Sequence, residues 1–378
     1  MAIKVIHIIA GLGVGGAELM LQRLIQSSHP AEYEYKVISL TNLGQVGERL
    51  ESFGIRVVAL RMRGGLDLLP TFLSLRRQIT EFEPDIVQTW MYHADFLGGL
   101  AARSVGVRRV VWGIRTTEIK AGGSLLTRLI RKMCALLSPY IPSRIVCVAD
   151  AARKVHERVG YASEKMLVIP NGFDIDKLMA APDQVKAVRQ AAGIADNETV
   201  IGSVGRFNAV KNQRDFILAA ALLVKKHNNL RFLMVGRGLD DTNVDLHKWI
   251  EETGRPECFI LLGERSDIPS CLAAMDIFCL HSRTEGFPNA LGEAMALARP
   301  CVVTDVGDAA LLVGGAGIVV PKENPLALAE GLEKLLSLSF LERSKLGRLA
   351  RLRIINDFTM KHASSKFERL YHDLIAEA

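Results

Sequence analysis

IKVIHIIAGLGVGGAELMLQRLI, residues 3–25, sets the fold class. Its first seven residues are apolar except for Lys4 and His7, as in a strand buried on both faces of a parallel sheet. Gly11, Gly13, Gly15 and Gly16 then break the run. Ala17, Met20, Leu21, Leu24 and Ile25 follow at i, i+3, i+4, i+7 and i+8, which is one face of a helix. Strand, glycine loop and helix make one βα unit. Further β-rich runs repeat it at 35–40, 55–60, 86–89, 109–112, 144–148 and 166–169. Helical stretches separate most of them, which implies a parallel sheet covered on both faces. Pro170-Asn171-Gly172 ends the series with a turn. An alanine-rich helical stretch over 179–198 leads into a second series at 200–204, 231–235, 259–262, 277–280, 301–304 and 317–320.

Two such series fit a 378-residue chain, since a domain commonly takes about 150 residues. The expected division is 1–177 and 178–357. An apolar fraction of 49% is ample for two cores. No run of 18 residues is apolar and uncharged throughout, so no transmembrane helix is expected. The opening residues lead directly into the first strand with no cleavage site, so no signal peptide is expected either. Cys134, Cys147, Cys258, Cys271, Cys279 and Cys301 form no C-x-x-C pair and read as reduced, mostly buried thiols of a cytosolic protein. The histidines form no H-E-x-x-H, so no metal site is expected. Charge is uneven: the chain carries +6 overall but +8 through Arg189, so its first half is basic. Such a half suits nucleic acid, an anionic membrane or a phosphorylated substrate. It holds no basic strip interleaved with aromatics, so nucleic acid is not expected as a partner.

Gly11, Gly13 and Gly16 fit G-x-G-x-x-G between strand and helix, where free N–H groups favour a phosphate. A dinucleotide site also wants an acidic residue ending the second strand. Ser39-Leu40-Thr41-Asn42 stands there, which argues against NAD or FAD. In the second series Arg206 and Lys211 follow Gly205 in a strand-end loop. Arginine clamps a diphosphate with paired bonds and lysine adds a compact charge. Two cations suit a departing nucleoside diphosphate, on which negative charge builds. Glu285 lies in the loop after 277–280, kept tight by Gly286 and Pro288. A helix starting near Pro288 or Asn289 would put Glu293 one turn in. Two carboxylates from different elements could then line one crevice and accept hydrogen bonds from the hydroxyls of a ribose or a sugar. His93 is a further candidate at the strand end after 86–89. Asp174-Ile175-Asp176 has the D-x-D spacing of a metal site, but it directly follows a turn, where acidic residues punctuate linkers.

Glu285 and Glu293, with seven residues between them, resemble the E-x7-E signature of retaining glycosyltransferases of the GT-B fold, family 4. The resemblance spans essentially the whole chain. It takes in Gly15-Gly16-Ala17-Glu18, Ile169-Pro170-Asn171-Gly172, the G-R-x4-K of Gly205, Arg206 and Lys211, and Val235-Gly236-Arg237-Gly238. It implies an α/β GT-B fold: two facing Rossmann-like domains with a cleft between them. Residues 1–177 would bind acceptor and 178–357 the nucleotide-sugar donor, with a closing helix over about 358–378 packing back on the first domain. The backbone around Gly15 and Gly16 would face the donor diphosphate, and Arg206 and Lys211 would clamp it. Glu285 would contact the donor sugar and Glu293 the nucleotide ribose. The loop from Gly286 through Phe287 and Pro288 to Asn289 would offer backbone amides. The nucleotide-sugar is a co-substrate, and no cofactor or metal is implied.

Relatives carry a histidine after the strand at 109–112. Here Arg115 takes that position and would bind the sugar or a phosphate on the acceptor instead, with His93 as another candidate at a strand end. The implied reaction is retaining transfer of a hexosyl or N-acetylhexosaminyl group. It runs from a nucleotide-sugar, UDP-linked in the first instance, to a polyprenyl-diphosphate-linked glycan in surface polysaccharide or lipopolysaccharide biosynthesis. A non-hydrolysing sugar-nucleotide epimerase shares the architecture without the E-x7-E. A non-catalytic sugar-nucleotide-binding protein is the alternative that Arg115 leaves open. Leu125, Leu126, Leu129, Ile130 and Met133 share a helix face beside Arg128, Arg131 and Lys132. Such a helix either docks inside its own domain or lies on anionic lipid. The expected location is cytoplasmic, with peripheral contact at the inner face of the cytoplasmic membrane.

Overall fold

The structure, a computed structural model, describes residues 2–117 and 125–377. The chain divides into two compact units, Met1–Gly172 with Met360–Ala378, and Phe173–Thr359. The division falls after Gly172 and not at 177 because Phe173 already belongs to the second unit: its N–H donates to the Phe358 carbonyl at 2.9 Å. The chain thus enters and leaves that unit at adjacent points.

In unit 1, β1 (Ile3–Ile9), β2 (Tyr33–Ser39), β3 (Arg56–Ala59), β4 (Ile86–Trp90), β5 (Val110–Ile114), β6 (Arg144–Cys147) and β7 (Met166–Val168) form one parallel sheet. Its order is β3-β2-β1-β4-β5-β6-β7. Val5 pairs with Tyr35 on one side and Ile86 on the other. That central place is why Val5, Ile6, Ile8 and Ile9 are wholly buried, and why the run had to be apolar on both faces. The closing helix Met360–Ala376 belongs to this unit and lays Phe367, Leu370, Tyr371 and Leu374 into its core. The Tyr371 hydroxyl donates to Gln88 Oε1 on β4 at 2.5 Å.

Unit 2 repeats the plan with β8 (Thr199–Val204), β9 (Leu230–Val235), β10 (Phe259–Leu261), β11 (Ile277–Leu280), β12 (Cys301–Thr304) and β13 (Gly317–Val320). All pairs are parallel, in the order β10-β9-β8-β11-β12-β13. Its own core gathers Phe216, Phe232, Met234, Ile277 and Leu332.

The helix Leu125–Leu137 buries only Cys134 and Ala135. Leu125, Leu126 and Leu129 stand exposed while Ile130 and Met133 of the same face are half-buried, so the domain covers only part of the apolar face. No described helix is long and apolar enough to cross a membrane.

Candidate active site

The strand order of unit 2 turns between β8 and β11. Such a reversal opens a crevice beyond the carboxyl ends of the strands, the usual ligand site of an open parallel sheet. Arg206 and Lys211 leave β8 there, and Glu285 leaves β11. The β8 loop is held at each step. Gly205 N–H donates to the Val235 carbonyl at 2.9 Å and Phe207 N–H to the Arg237 carbonyl at 2.8 Å. Gly236, at φ 146°, lies so close beneath that a Cβ would stand 2.4 Å from the Gly205 oxygen, so only glycine fits. Gln213 Nε2 donates to the Arg206 carbonyl at 3.0 Å. Arg206 itself is exposed.

The loops after β8 and β11 are bonded to each other. Arg283 N–H donates to the Val210 carbonyl at 2.8 Å. His281 Nδ1 lies 2.6 Å from the Lys211 carbonyl. A carbonyl only accepts, so Nδ1 carries the proton. Burial pulls this imidazole down to about 4, so it is neutral at pH 7. The Lys211 ammonium lies 2.6 Å from Glu285 Oε1, with the two side chains 25% and 12% exposed. The Ser282 hydroxyl donates to the same oxygen at 2.6 Å. Gly307, at φ 53°, supports the carboxylate loop from below: a Cβ would stand 2.4 Å from the carbonyl oxygens of both Glu285 and Gly286. Asp308 N–H donates to Gly286 O at 2.9 Å.

Phe287 is buried, its ring between those of Phe173 and Phe358 at 6.1 and 5.7 Å. The ring therefore anchors the loop, and what Phe287 can offer a ligand is its backbone. Pro288 is the N-cap of the helix Asn289–Ala296, whose second turn carries half-buried Glu293. Gly292, between the two glutamates, leaves the space that the Phe173 ring occupies, 1.9 Å from an added Cβ. Asp174 of the D-x-D pairs with Lys177 at 3.0 Å. Among the described residues no three His, Cys, Asp or Glu side chains converge on a metal site.

In unit 1 the strand order turns between β1 and β4. The glycine loop after β1 is braced by the Thr41 hydroxyl, which donates to the Ala10 carbonyl at 2.7 Å, and by Val46 N–H on the Leu12 carbonyl at 3.0 Å. Gly15 caps the helix Gly16–Ser27 with backbone alone. Glu18 folds back, its Oε2 2.4 Å from where a Gly15 Cβ would stand. Arg115 follows β5. Its guanidinium lies 5.1 Å from the Trp90 ring centre and donates through Nη2 to Asn171 Oδ1. Its Nε and Nη1 are buried without a partner among the described residues. Burial pulls the group down to about 10, so it stays charged. His93, half-buried at the start of the helix Tyr92–Ser104, is pulled down by burial. Asp95 in the same helix accepts from the Thr89 hydroxyl at 2.5 Å and from Gly113 N–H at 3.2 Å, tying the ends of β4 and β5 together. Burial raises its carboxyl to about 8.

Four contributors lay outside the sequence reading: His281, Gln213, Gly307 and the Ser282 hydroxyl. A glycine in a strand-end turn was the available signal for Gly307. No spacing rule pointed to His281.

The sequence model described as Glycosyltransferase Family 4 matches residues 14–177, and that described as Glycosyl transferases group 1 matches 198–338. A curated relative from Escherichia coli, UDP-Gal:alpha-D-GlcNAc-diphosphoundecaprenol alpha-1,3-galactosyltransferase, is 26% identical and covers 81% of this chain and 80% of its own. The putative glycosyltransferase EpsF of Bacillus subtilis is 28% identical over 80% of this chain and 79% of its own. Among solved structures, Anabaena Alr3699/HepE in complex with UDP superposes with a TM-score of 0.86 at 22% identity, covering 98% of this chain and all of that one. WaaG, a glycosyltransferase involved in lipopolysaccharide biosynthesis, gives 0.71 at 16% identity over 96% and 98%. Two parallel α/β units, strand-end loops carrying Arg206, Lys211 and Glu285, and two family models that together match most of the chain lead to one assignment: the chain belongs to glycosyltransferase family 4, glycosyl transferases group 1, with the GT-B fold.

Proposed function

We propose that this glycosyltransferase takes a sugar from a nucleotide-sugar, UDP-linked in the first instance, and passes it with retained anomeric configuration to a glycan carried on polyprenyl diphosphate, in surface polysaccharide biosynthesis. The observation that carries this is the clamped Lys211–Glu285 constellation at the β8/β11 turn of unit 2. Support for the substrates comes from the E. coli relative, named for UDP-Gal and a diphosphoundecaprenol acceptor, and from the UDP held by the Anabaena protein.

Arg206 and Lys211 neutralise the charge that grows on the leaving diphosphate, and Glu285 accepts from sugar hydroxyls. Glu293 holds the ribose, and the backbone of Gly205 and of Gly286–Asn289 lies against sugar and phosphate. The bond from the anomeric carbon to the phosphate oxygen breaks, and one to the acceptor oxygen forms on the same face. The acceptor proton leaves on the departing phosphate. No metal is required, since the two cations supply the positive charge. Unit 1 takes the acceptor, with Arg115 and His93 at strand ends. The exposed Leu125, Leu126 and Leu129 beside Arg128 and Lys132 rest on the anionic cytoplasmic face of the membrane that holds it.

Calorimetric titration with UDP, GDP and ADP, without added metal, tests the donor site. One of the three, UDP in the first instance, should bind. Lys211→Ala and Glu293→Ala should each weaken it, by about tenfold or more for the lost charge-assisted bonds. A folded protein that binds none of the three would sink the donor-site assignment.

A further inference from the structure

Two side chains proposed for opposite ends of one scissile bond are bonded to each other. Lys211 would meet the diphosphate and Glu285 the sugar, yet Nζ and Oε1 stand 2.6 Å apart. The pair is fixed from several sides. Ser282 donates to the same carboxylate oxygen, and Thr304 holds the Ser282 carbonyl at 2.8 Å. His281 holds the lysine carbonyl. Both side chains are mostly buried, so water screens their charges little.

A nucleoside diphosphate that draws on Lys211 must share its three-proton ammonium with this partner, whose own negative charge then lies beside the phosphates. Glu285 would then face the phosphates as a carboxylate that shares its cation with them. A sugar on the terminal phosphate changes the balance twice. Its hydroxyls donate to Glu285, offsetting the share of the ammonium that the phosphates take. Its ester bond also removes one negative charge that the bare diphosphate carries at neutral pH. We propose that Glu285 is the resident counter-ion of Lys211, and that this makes the site select a sugar-bearing nucleotide over the bare nucleoside diphosphate that transfer leaves behind. The inference rests on the donor-site assignment above. Its consequence is that transfer itself weakens the hold on the nucleotide, because the departing sugar takes away the donors that satisfied Glu285.

The test is titration of the full chain with UDP and with UDP-glucose, for wild type, Glu285→Gln, Lys211→Ala and the double variant. Glutamine keeps the shape and the Ser282 bond while removing the charge. UDP should bind Glu285→Gln about tenfold tighter than wild type, the scale of one close charge contact. UDP-glucose should gain nothing, so the preference between the two ligands moves toward UDP. On the Lys211→Ala background the gain should vanish. Glu285→Ala gives the same readout if the glutamine variant does not fold. Unchanged or weaker UDP binding in the folded variant overturns the inference and leaves the donor site standing. So does an equal gain without Lys211. If neither wild type nor variant binds UDP, GDP or ADP, both fall together.

Discussion

One imidazole illustrates how much of this site depends on single bonds between distant residues. His281 is buried against the Phe216 ring, 4.9 Å between centroids, and gives its only proton to the Lys211 carbonyl. His281→Leu keeps the apolar contact and removes the donor. That should cost about 1–3 kcal/mol for an unmet buried carbonyl and loosen the loop that presents Lys211. The pH dependence has a definite sign. The ordinary imidazole value is 6.5 and the folded one about 4, so the unfolded chain takes up the proton first. His281 therefore contributes its full stability above 6.5 and loses it as pH falls toward 4. The variant has nothing to titrate there. Denaturant midpoints of the two proteins should lie further apart at pH 7 than at pH 5; a constant or widening gap would refute the neutral buried assignment. The sequence could not show this bond, because it joins residues 70 positions apart and neither belongs to a recognisable spacing. Lys211 and Glu285 were legible for the opposite reason: each sits at a fixed offset from a strand end, beside glycines that shape the loop.

At the scale of elements, legibility depended on how much of the surface is covered. A parallel strand such as β1 is buried on both faces, so its whole run is apolar and its limits can be read directly. The helix Leu125–Leu137 shows the converse. Periodicity revealed an apolar stripe but not what covers it. In the folded chain its Leu125, Leu126 and Leu129 meet solvent, Leu125 being 81% exposed, while Ile130 and Met133 are half-buried. The helix Leu68–Phe82 and the turn Gly65–Asp67 before it also expose leucines, Leu66 at 98%. Both helices pack on Tyr92–Ser104, so they border the same helix. An exposed apolar patch with basic flanks is what an anionic bilayer recognises. Wild type should float with phosphatidylglycerol vesicles and less with phosphatidylcholine alone. Leu125→Glu with Leu129→Glu should reduce flotation several-fold while leaving the melting temperature nearly unchanged, since exposed side chains lose little packing. Equal flotation of both proteins, or none of wild type, would remove the membrane contact from the proposal.

Each unit has a core of its own among the described residues, and the chain completes that of unit 1 with the helix Met360–Ala376. Phe367 and Tyr371 lie some two hundred residues beyond β7 yet are as buried as β1 itself. Unit 1 is therefore incomplete until the last helix is made, whereas unit 2 is built from one continuous stretch. This separation can be measured. Phe367→Ala opens a cavity in unit 1 and should cost roughly 3–5 kcal/mol. A nucleoside diphosphate should stabilise only the unit that binds it, by an amount set by concentration over Kd. In scanning calorimetry Phe367→Ala should lower one transition, and saturating UDP should raise another. UDP affinity, measured below the first transition, should be unaffected by the substitution. If the substitution weakens UDP binding at a temperature where the chain is folded, the nucleotide is not held by unit 2 alone. A UDP-induced rise in the same transition that Phe367→Ala lowers would show that the two cores unfold as one.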